Sequence, residues 1–296
     1  MLEFRDIQIS DKDRITSALK RSGFIGAEYT FANNMAWKRL NNSKIAFLDD
    51  FYICGSFGEN NRPCFCFPSG SDDYRKVIAE LKKFSENSGY PLTLVSVTEK
   101  SLAMLGELFP DAFTYEYDRD SSDYIYRTED LINLSGKKYH QKRNHLARFS
   151  ELDYDFSLIS ENDFDDCITF STVTYNNKNA SEDDYSIIAE QYAINTFFSY
   201  YHELGLCGGI IRIGGKIAAL TIGEPVTDSV YCVHIEKADT SYNGIYVGIN
   251  NCFLKAAVKD FEFVNREEDL GIDGLRRSKL SYHPAFLLDK YKVTFK

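Results

Sequence analysis

The stretch GGIIRIGGKIAALTIG, residues 208–223, gives the strongest local indication of the fold. Two runs rich in β-forming residues flank Gly214 and Gly215, and a Gly-Gly pair is typical of the two-residue turn of a β-hairpin. Around this hairpin, hydrophobic periodicity predicts helices at 161–175, 182–204, 246–260 and 275–281 and strands at 229–235, 261–264 and 287–295. Such alternation of helices and strands indicates an α/β protein.

The first half of the chain repeats this order of elements, without evident residue-level identity to the second half. Its patterns predict helices at 11–21, 72–87 and 98–109, a hairpin at 44–57, and strands at 63–67, 92–97 and 112–117. The order resembles the GNAT-type acyltransferase fold, in which two neighbouring strands splay apart beside a helix N-terminus to admit an acyl donor. We therefore predict an α/β (α+β) fold of two tandem GNAT-like units, each a mixed twisted sheet flanked by helices. The predicted divisions are a first unit at 1–122, a connecting segment with a basic helix at 123–150, and a second unit at 151–296 that carries the functional site.

The composition sets the class of protein. The chain has 296 residues, enough for two domains, and its 44% hydrophobic and 15% aromatic content exclude disorder. A net charge of -10 argues against a protein that coats nucleic acid generally, but it leaves room for a local basic patch.

The chain carries no sequence signal for export, membrane insertion or metal binding. No apolar run reaches the roughly 18 residues that cross a bilayer, and the N-terminus lacks the pattern of a secretion signal. The seven cysteines are odd in number and form no CxxC pair, so we predict reduced thiols and no metal site. We expect a soluble cytoplasmic protein, with a location at the periphery of a membrane as the alternative.

Two charge-rich stretches are candidates for function. Residues 265–284, NREEDLGIDGLRRSKLSYHP, follow a predicted strand, and strand ends in α/β sheets are where ligands usually bind. Residues 136–149, GKKYHQKRNHLARF, contain five Lys and Arg residues and no acid, at helical spacing that could clamp phosphates. For both stretches the alternative interpretation is a surface segment whose charges only contact solvent.

The sequence indicates coenzyme-A binding and covalent catalysis only weakly. Residues 237–248, KADTSYNGIYVG, are a poor match to the glycine-rich pyrophosphate loop of coenzyme-A acyltransferases, and Asp239 would repel phosphate. A plain strand-to-helix turn is the alternative, and coenzyme A is the less favoured donor. No G-x-S-x-G motif is present, and His234, in an apolar strand, is predicted to be a hydrogen-bonded core residue rather than a base.

The stretches LSGKKYHQKRNHLARF (134–149) and NREEDLGIDGLRRSKLSYHP (265–284) together resemble the soluble C-terminal domain of phosphatidylglycerol lysyltransferases. The resemblance covers most of the chain and implies two tandem GNAT-like units, distantly related in fold to the Fem peptidyltransferases. It also implies transfer of an amino acid from aminoacyl-tRNA to a lipid hydroxyl.

The resemblance implies site residues as well. The catalytic candidates are Asp269, Arg276 and Lys279. Lys279 or Arg276 would bind the oxyanion or the terminal phosphate. The carboxylate of Asp269 or Glu268 would hold the α-ammonium. The substrate-binding candidates are Glu268, Arg277, Asn265, Tyr282, Lys138, Lys142 and Arg143, and the last three would contact phosphates of the tRNA acceptor end.

We therefore predict an aminoacyltransferase that moves an aminoacyl group from aminoacyl-tRNA, as co-substrate, to a lipid, peptide or small acceptor without a bound cofactor. A non-catalytic binding module for an amino-bearing metabolite and a coenzyme-A-dependent N-acyltransferase are the two alternatives.

Overall fold

The computed structural model describes residues 2–40, 42–176 and 185–296, and the chain divides into two compact units. Unit 1 consists of Met1–Asp123, Glu268–Ile272 and Leu287–Lys296, and unit 2 of Tyr124–Glu267 and Asp273–Phe286. The first segment of unit 1 ends within one residue of the predicted unit 1–122, but the rest of the division differs from the prediction. Residues 124–150 form part of unit 2 rather than a connecting segment, and the last ten residues belong to unit 1.

Unit 1 is built on a six-stranded mixed sheet. Its strands are β1 (Ser43–Leu48), β2 (Phe51–Phe57), β3 (Pro63–Cys66), β4 (Thr93–Thr98), β5 (Phe113–Tyr117) and β13 (Lys290–Phe295), in the order β1-β2-β3-β4-β13-β5. Only the pair β3 and β4 is parallel. Its helices are α1 (Lys12–Ser22), α2 (Phe31–Ala36), α3 (Tyr74–Asn87) and α4 (Glu99–Leu108).

Local signals account for most elements of unit 1. The predicted hairpin is confirmed, because β1 and β2 pair antiparallel up to Leu48↔Phe51. Helix α3 buries Val77, Ile78 and Leu81 against the sheet, as its spacing predicts. Its N-cap is Asp73, whose carboxylate accepts the N–H of Arg75 at 2.9 Å.

Unit 2 is built on a seven-stranded mixed sheet. Its strands are β6 (Asp123–Arg127), β7 (Tyr154–Leu158), β8 (Cys207–Ile213), β9 (Lys216–Pro225), β10 (Val230–Ala238), β11 (Phe263–Asn265) and β12 (Phe286–Leu288), in the order β12-β6-β11-β10-β9-β8-β7. Its helices are α5 (Thr128–Asn133), α6 (His140–Ser150), α7 (Phe164–Asn176), α8 (Tyr185–Ser199), α9 (Tyr201–Leu204), α10 (Ile245–Phe253) and α11 (Asp273–Leu280), and a π-helical turn at Leu254–Val258 continues α10. The first residues of the helix predicted at 182–204 lie outside the described residues.

The two sheets repeat one order, which confirms the prediction of tandem GNAT-like units. Each contains antiparallel strands followed by one parallel pair, β3 with β4 and β10 with β11. Next to that pair, each sheet takes a strand from outside its own predicted half, β13 in unit 1 and β6 in unit 2. No helix within the described residues is long and apolar enough to cross a membrane.

Candidate functional site

The candidate site of unit 2 lies where the pairing of β10 with β11 stops, which we call the opening between β10 and β11. These parallel strands pair as far as Cys232↔Asn265, where the ladder stops, although β10 continues to Ala238. Strand β11 has ended at that point and the chain continues through Arg266 and Glu267. The opening therefore lies at the end of a parallel strand pair, where α/β sheets usually bind their ligands.

Four side chains at this opening form the histidine cluster: Glu224, Cys232, His234 and Glu267. The imidazole of His234 is completely buried, with Nε2 3.0 Å from Oε1 of Glu224 and Nδ1 2.8 Å from Oε1 of Glu267. Burial by itself lowers the pKa of His234, but Cys232 and the two carboxylates outweigh it and raise that pKa well above its ordinary value. Both ring nitrogens thus have a carboxylate partner, which confirms the prediction of a hydrogen-bonded core histidine.

Two backbone irregularities direct these side chains toward one another. Strand β10 carries a bulge against β9 between Val233 and Ile235, so His234 is an extra residue in the strand. Glu267 has a φ of 58°, in the left-handed region that non-glycine residues rarely adopt. Its N–H donates to Oδ1 of the buried Asn265 at 2.7 Å, and this bond stabilises the unusual backbone.

A second group, the Arg266 cluster, contains Lys142, Glu236, Asn250, Arg266 and Tyr282. Nη2 of Arg266 donates to Oε1 of Glu236 at 2.7 Å, and Nδ2 of Asn250 donates to Oε2 of the same carboxylate at 3.1 Å. The guanidinium carbon lies 4.7 Å from the centre of the Tyr282 ring. Nη1 of Arg266 is buried and has no hydrogen-bond partner within the described residues, although a side-chain hydrogen bond with Tyr282 contributes to the raised pKa of Arg266. The cluster therefore holds a fixed cation with a buried N–H that a ligand oxygen would satisfy.

Lys142 joins this cluster from α6. Its ammonium nitrogen lies 3.6 Å from the centre of the Tyr282 ring. Burial, followed by repulsion from Arg266, lowers the pKa of Lys142 to about 8, and attraction to Glu236 only partly opposes this. Near neutral pH some of the Lys142 amine is therefore uncharged and able to accept a proton.

Two glycines allow α6 to pack closely against α10. A Cβ at Gly244 would lie 2.1 Å from the carbonyl oxygen of His145, and a Cβ at Gly248 would lie about 2.5 Å from the ring of Phe149. These two glycines thus allow the helices to approach closely, which is a packing reason for their place after β10.

Residues 20–294 match the sequence family described as "Phosphatidylglycerol lysyltransferase, C-terminal". The chain belongs to this family.

Several other proteins are similar to this chain. A conserved protein of unknown function from Bacteroides thetaiotaomicron is 33% identical, covers 100% of both chains and superposes with a TM-score of 0.94. The L-PGS structure from Bacillus licheniformis has a TM-score of 0.69 over 97% of this chain and 92% of its own, and at 15% identity it shows the shared fold alone. An uncharacterized protein of Mycoplasmoides gallisepticum is 29% identical over 188 residues, which are 58% of this chain and 56% of that protein. The match thus spans about half the length of that relative.

Two acidic residues of the phosphatidylglycerol lysyltransferase-like motif lie in unit 1. Asp269 is completely buried, with Oδ2 3.2 Å from Nη1 of Arg119 and Oδ1 accepting the N–H of Gly271 at 2.9 Å. Glu268 is half-buried. The contacts of Asp269 hold the loop at 268–272 in place. Catalytic or ammonium-binding roles for Asp269 and Glu268 stay predictions.

The basic residues of the same motif lie on α11 in unit 2. Nζ of Lys279 donates to the carbonyl oxygen of Arg266 at 2.6 Å, so Lys279 lies beside the Arg266 cluster. Arg276 is half-buried and Arg277 is exposed. Of the predicted set, the structure thus brings together Lys142, Lys279 and Tyr282, while their functional roles stay predictions.

The predicted phosphate contacts Lys138 and Arg143 have structural partners. Nη1 of Arg143 donates to the carbonyl oxygens of Leu134 at 2.6 Å and Gly136 at 2.7 Å, and Nζ of Lys138 lies 3.5 Å from Oδ2 of Asp130. Both nevertheless line a shallow surface depression, whose lining residues are Lys137, Lys138, His140, Gln141 and Arg143. The depression has no acidic lining residue, which suits an anion.

The sequence did not single out Glu224, Glu236 or Arg266 as site residues. One signal was present, because Glu224, His234 and Glu236 interrupt the otherwise apolar strands β9 and β10, and buried charges need partners. Their partners were not readable, since Glu236 meets Arg266 from 30 residues away in the chain.

Proposed function

We propose that this chain transfers an aminoacyl group from aminoacyl-tRNA to a nucleophilic acceptor, a lipid, peptide or small molecule, at the opening between β10 and β11. The observation that carries the proposal is the buried Nη1 of Arg266, a charged donor with no hydrogen bond within the described residues. Membership of the phosphatidylglycerol lysyltransferase family supports the same class of reaction.

Arg266 is suited to hold the ester carbonyl. When a nucleophile attacks this carbonyl, negative charge develops on its oxygen, and a fixed, desolvated N–H donor stabilises that charge. Glu236 and Asn250 hold the guanidinium in place, so little reorganisation is needed as the charge forms.

Lys142 is suited to move the proton. The new bond forms between the acceptor nitrogen or oxygen and the carbonyl carbon, and the bond that breaks joins this carbon to the tRNA ribose oxygen. The neutral Lys142 amine would take the proton of the nucleophile and then give it to the leaving ribose oxygen. The aminoacyl ester is already activated, so no covalent enzyme intermediate is needed.

The basic depression is suited to the phosphates of the tRNA acceptor end. It lies at the start of α6, the helix that also carries Lys142. Because this contact is ionic, tRNA binding should weaken steeply as salt is raised.

The test uses total tRNA charged with a mixture of labelled amino acids, offered with phosphatidylglycerol vesicles or with small amines. We expect label to leave the tRNA and enter either the lipid or the amine fraction. Arg266→Met should lower this rate at least about 100-fold, the scale seen when an oxyanion donor is lost, while tRNA binding is kept.

Arg127→Met is the matched control, because Arg127 is a half-exposed arginine on β6 of the same unit and should keep the full rate. Since Arg266→Met leaves Glu236 buried without its partner, the double variant Glu236→Gln, Arg266→Met tests whether any loss is only misfolding. The proposal fails if the folded wild type leaves all label on the tRNA with both acceptors, or if the folded double variant keeps the wild-type rate.

A further inference from the structure

We propose that Cys232, His234 and Glu267 bind a single zinc ion, and that Glu224 orients the histidine. This site lies at the same opening as the proposed acyl transfer, but the proposal does not depend on that transfer. No metal site was predicted from the sequence, because Cys232 and His234 lie on β10 and Glu267 lies two residues beyond β11, in no recognised metal-binding spacing.

The three donor atoms are spaced as a zinc ion requires. Zinc bonds of about 2.0 to 2.3 Å in tetrahedral geometry place neighbouring ligand atoms about 3.3 to 3.7 Å apart. Sγ of Cys232 lies 3.6 Å from Nδ1 of His234 and 4.0 Å from Oε1 of Glu267. Nδ1 and Oε1 are 2.8 Å apart, so this pair needs to open by only about 0.5 Å as the ion replaces the proton between them.

Glu224 supplies the contact that metal-bound histidines usually have. A zinc-ligating imidazole typically donates its second N–H to a carboxylate, which fixes the tautomer and raises the basicity of the ligand. Nε2 of His234 lies 3.0 Å from Oε1 of Glu224, while Nδ1 is turned to Cys232 and Glu267. The two ring nitrogens thus have the partners that a carboxylate–histidine–zinc arrangement requires.

The chemistry of the donors selects the ion. A thiolate and an imidazole favour zinc over magnesium or calcium, which prefer oxygen ligands. The thiolate of Cys232 and the carboxylate of Glu267 together balance the charge of Zn²⁺ in a buried place. Binding displaces the proton between these ligand atoms to solvent, and water fills the fourth position.

The experiment titrates the chelator-treated chain with Co²⁺, a spectroscopic substitute for zinc, without tRNA or acceptor. We expect one ion per chain, a sulfur-to-cobalt charge-transfer band in the near ultraviolet, release of protons as the ion binds, and loss of the band when Zn²⁺ is added. Cys232→Ser should abolish the band, and Glu224→Gln should weaken binding about 10- to 100-fold.

Cys207→Ser on β8 of the same sheet is the matched control and should keep the wild-type band. If Cys232→Ser does not fold, Glu267→Gln replaces it, because this partly exposed side chain tolerates the change, and it should weaken Co²⁺ binding at least about tenfold. The proposal is overturned if the folded wild type binds no Co²⁺, or if the band persists in Cys232→Ser. Neither result bears on acyl transfer, since no transfer is measured.

Discussion

At the scale of single residues, the stability of unit 1 depends on one buried lysine. Nζ of Lys290 lies 2.7 Å from Oδ1 of Asp123 and 2.8 Å from Oε2 of Glu28, and only 4% of the lysine side chain is exposed. Asp123 also accepts the N–H of Ala27 at 2.9 Å. The lysine thus ties the last strand of the chain to residues far away in the sequence.

Replacing Lys290 with Met should destabilise the chain by about 3 to 5 kcal/mol, because it leaves Asp123 and Glu28 buried without their cation. The measurement is urea unfolding followed by circular dichroism. Lys292→Met on the same strand is the control, since Lys292 forms a half-exposed pair with Glu116 and should change stability by less than about 0.5 kcal/mol. Equal effects of the two substitutions would contradict this role of Lys290.

The lowered pKa of Lys142 predicts, also at the scale of single residues, that the free energy of unfolding depends on pH. Its pKa is lowered to about 8 in the folded chain from 10.5. Between these values the unfolded chain binds more protons than the folded chain, so the penalty for charging Lys142 is present below pH 8 and is relieved as pH rises toward 10.5.

The free energy of unfolding of the wild type, relative to Lys142→Met, should therefore rise between about pH 7 and about pH 10, by about 1 to 2 kcal/mol for this half-buried amine. Urea unfolding of both proteins at the two pH values measures the difference. Lys216→Met, at an exposed lysine of the same unit, should show no such change. A constant difference between the wild type and Lys142→Met would mean that the pKa of Lys142 is not lowered.

At the scale of elements, the packing of α6 on α10 controls the position of Lys142. Phe149, the buried residue of α6, contacts Gly248 of α10. Apart from Leu146 and Ala147 the rest of the helix is polar, so this contact and that of Leu146 decide where its cations lie.

Gly248→Ala should destabilise the chain by about 1 to 3 kcal/mol, because the added Cβ would lie about 2.5 Å from carbons of the Phe149 ring. Hydrogen exchange should become faster in α6 than in the wild type. Gly106→Ala in α4 is the control, since its Cβ meets nothing within 4 Å and alanine favours the helix by about 1 kcal/mol. If exchange in α6 were unchanged, the glycine contact would not hold the helix.

At the scale of the whole molecule, the order of strands in the chain differs from their order in the sheets. The sheet of unit 1 has β13 between β4 and β5, and it pairs antiparallel with both. Residues 1–122 therefore lack an interior strand of their own sheet.

A fragment of residues 1–122 should not fold, because removal of β13 exposes two strand edges and the apolar core beneath Val293 and Phe295. Residues 1–123 joined by a Gly/Ser linker to residues 287–296 should recover a cooperative unfolding transition. Circular dichroism during thermal unfolding measures both. A cooperative transition in the short fragment would show that β13 is dispensable for this sheet.

Much of the fold could be predicted because local interactions specify it. The periodicity of α3 and the Gly-Gly turn between β8 and β9 involve neighbours in the sequence. Strand β6 was missed, because its sequence DYIYR, buried except for Arg127, follows a polar run that indicates a loop. The site was predicted only in part, since Lys142, Tyr282 and Lys279 lie in the two recognised motifs, whereas Glu236 and His234 lie in a strand whose pattern indicates a core.

The sequence by itself thus determined the elements, their repetition in two units and the two family motifs, because hydrophobic periodicity, turn residues and motif spacing are local properties of the chain. Only the tertiary structure decided which strands complete each sheet and which side chains meet at the opening between β10 and β11. The bulge at His234 and the Glu236–Arg266 pair both result from strand pairing between residues far apart in the chain. Such pairings are set by the burial of the whole sheet, and no local window of sequence contains them.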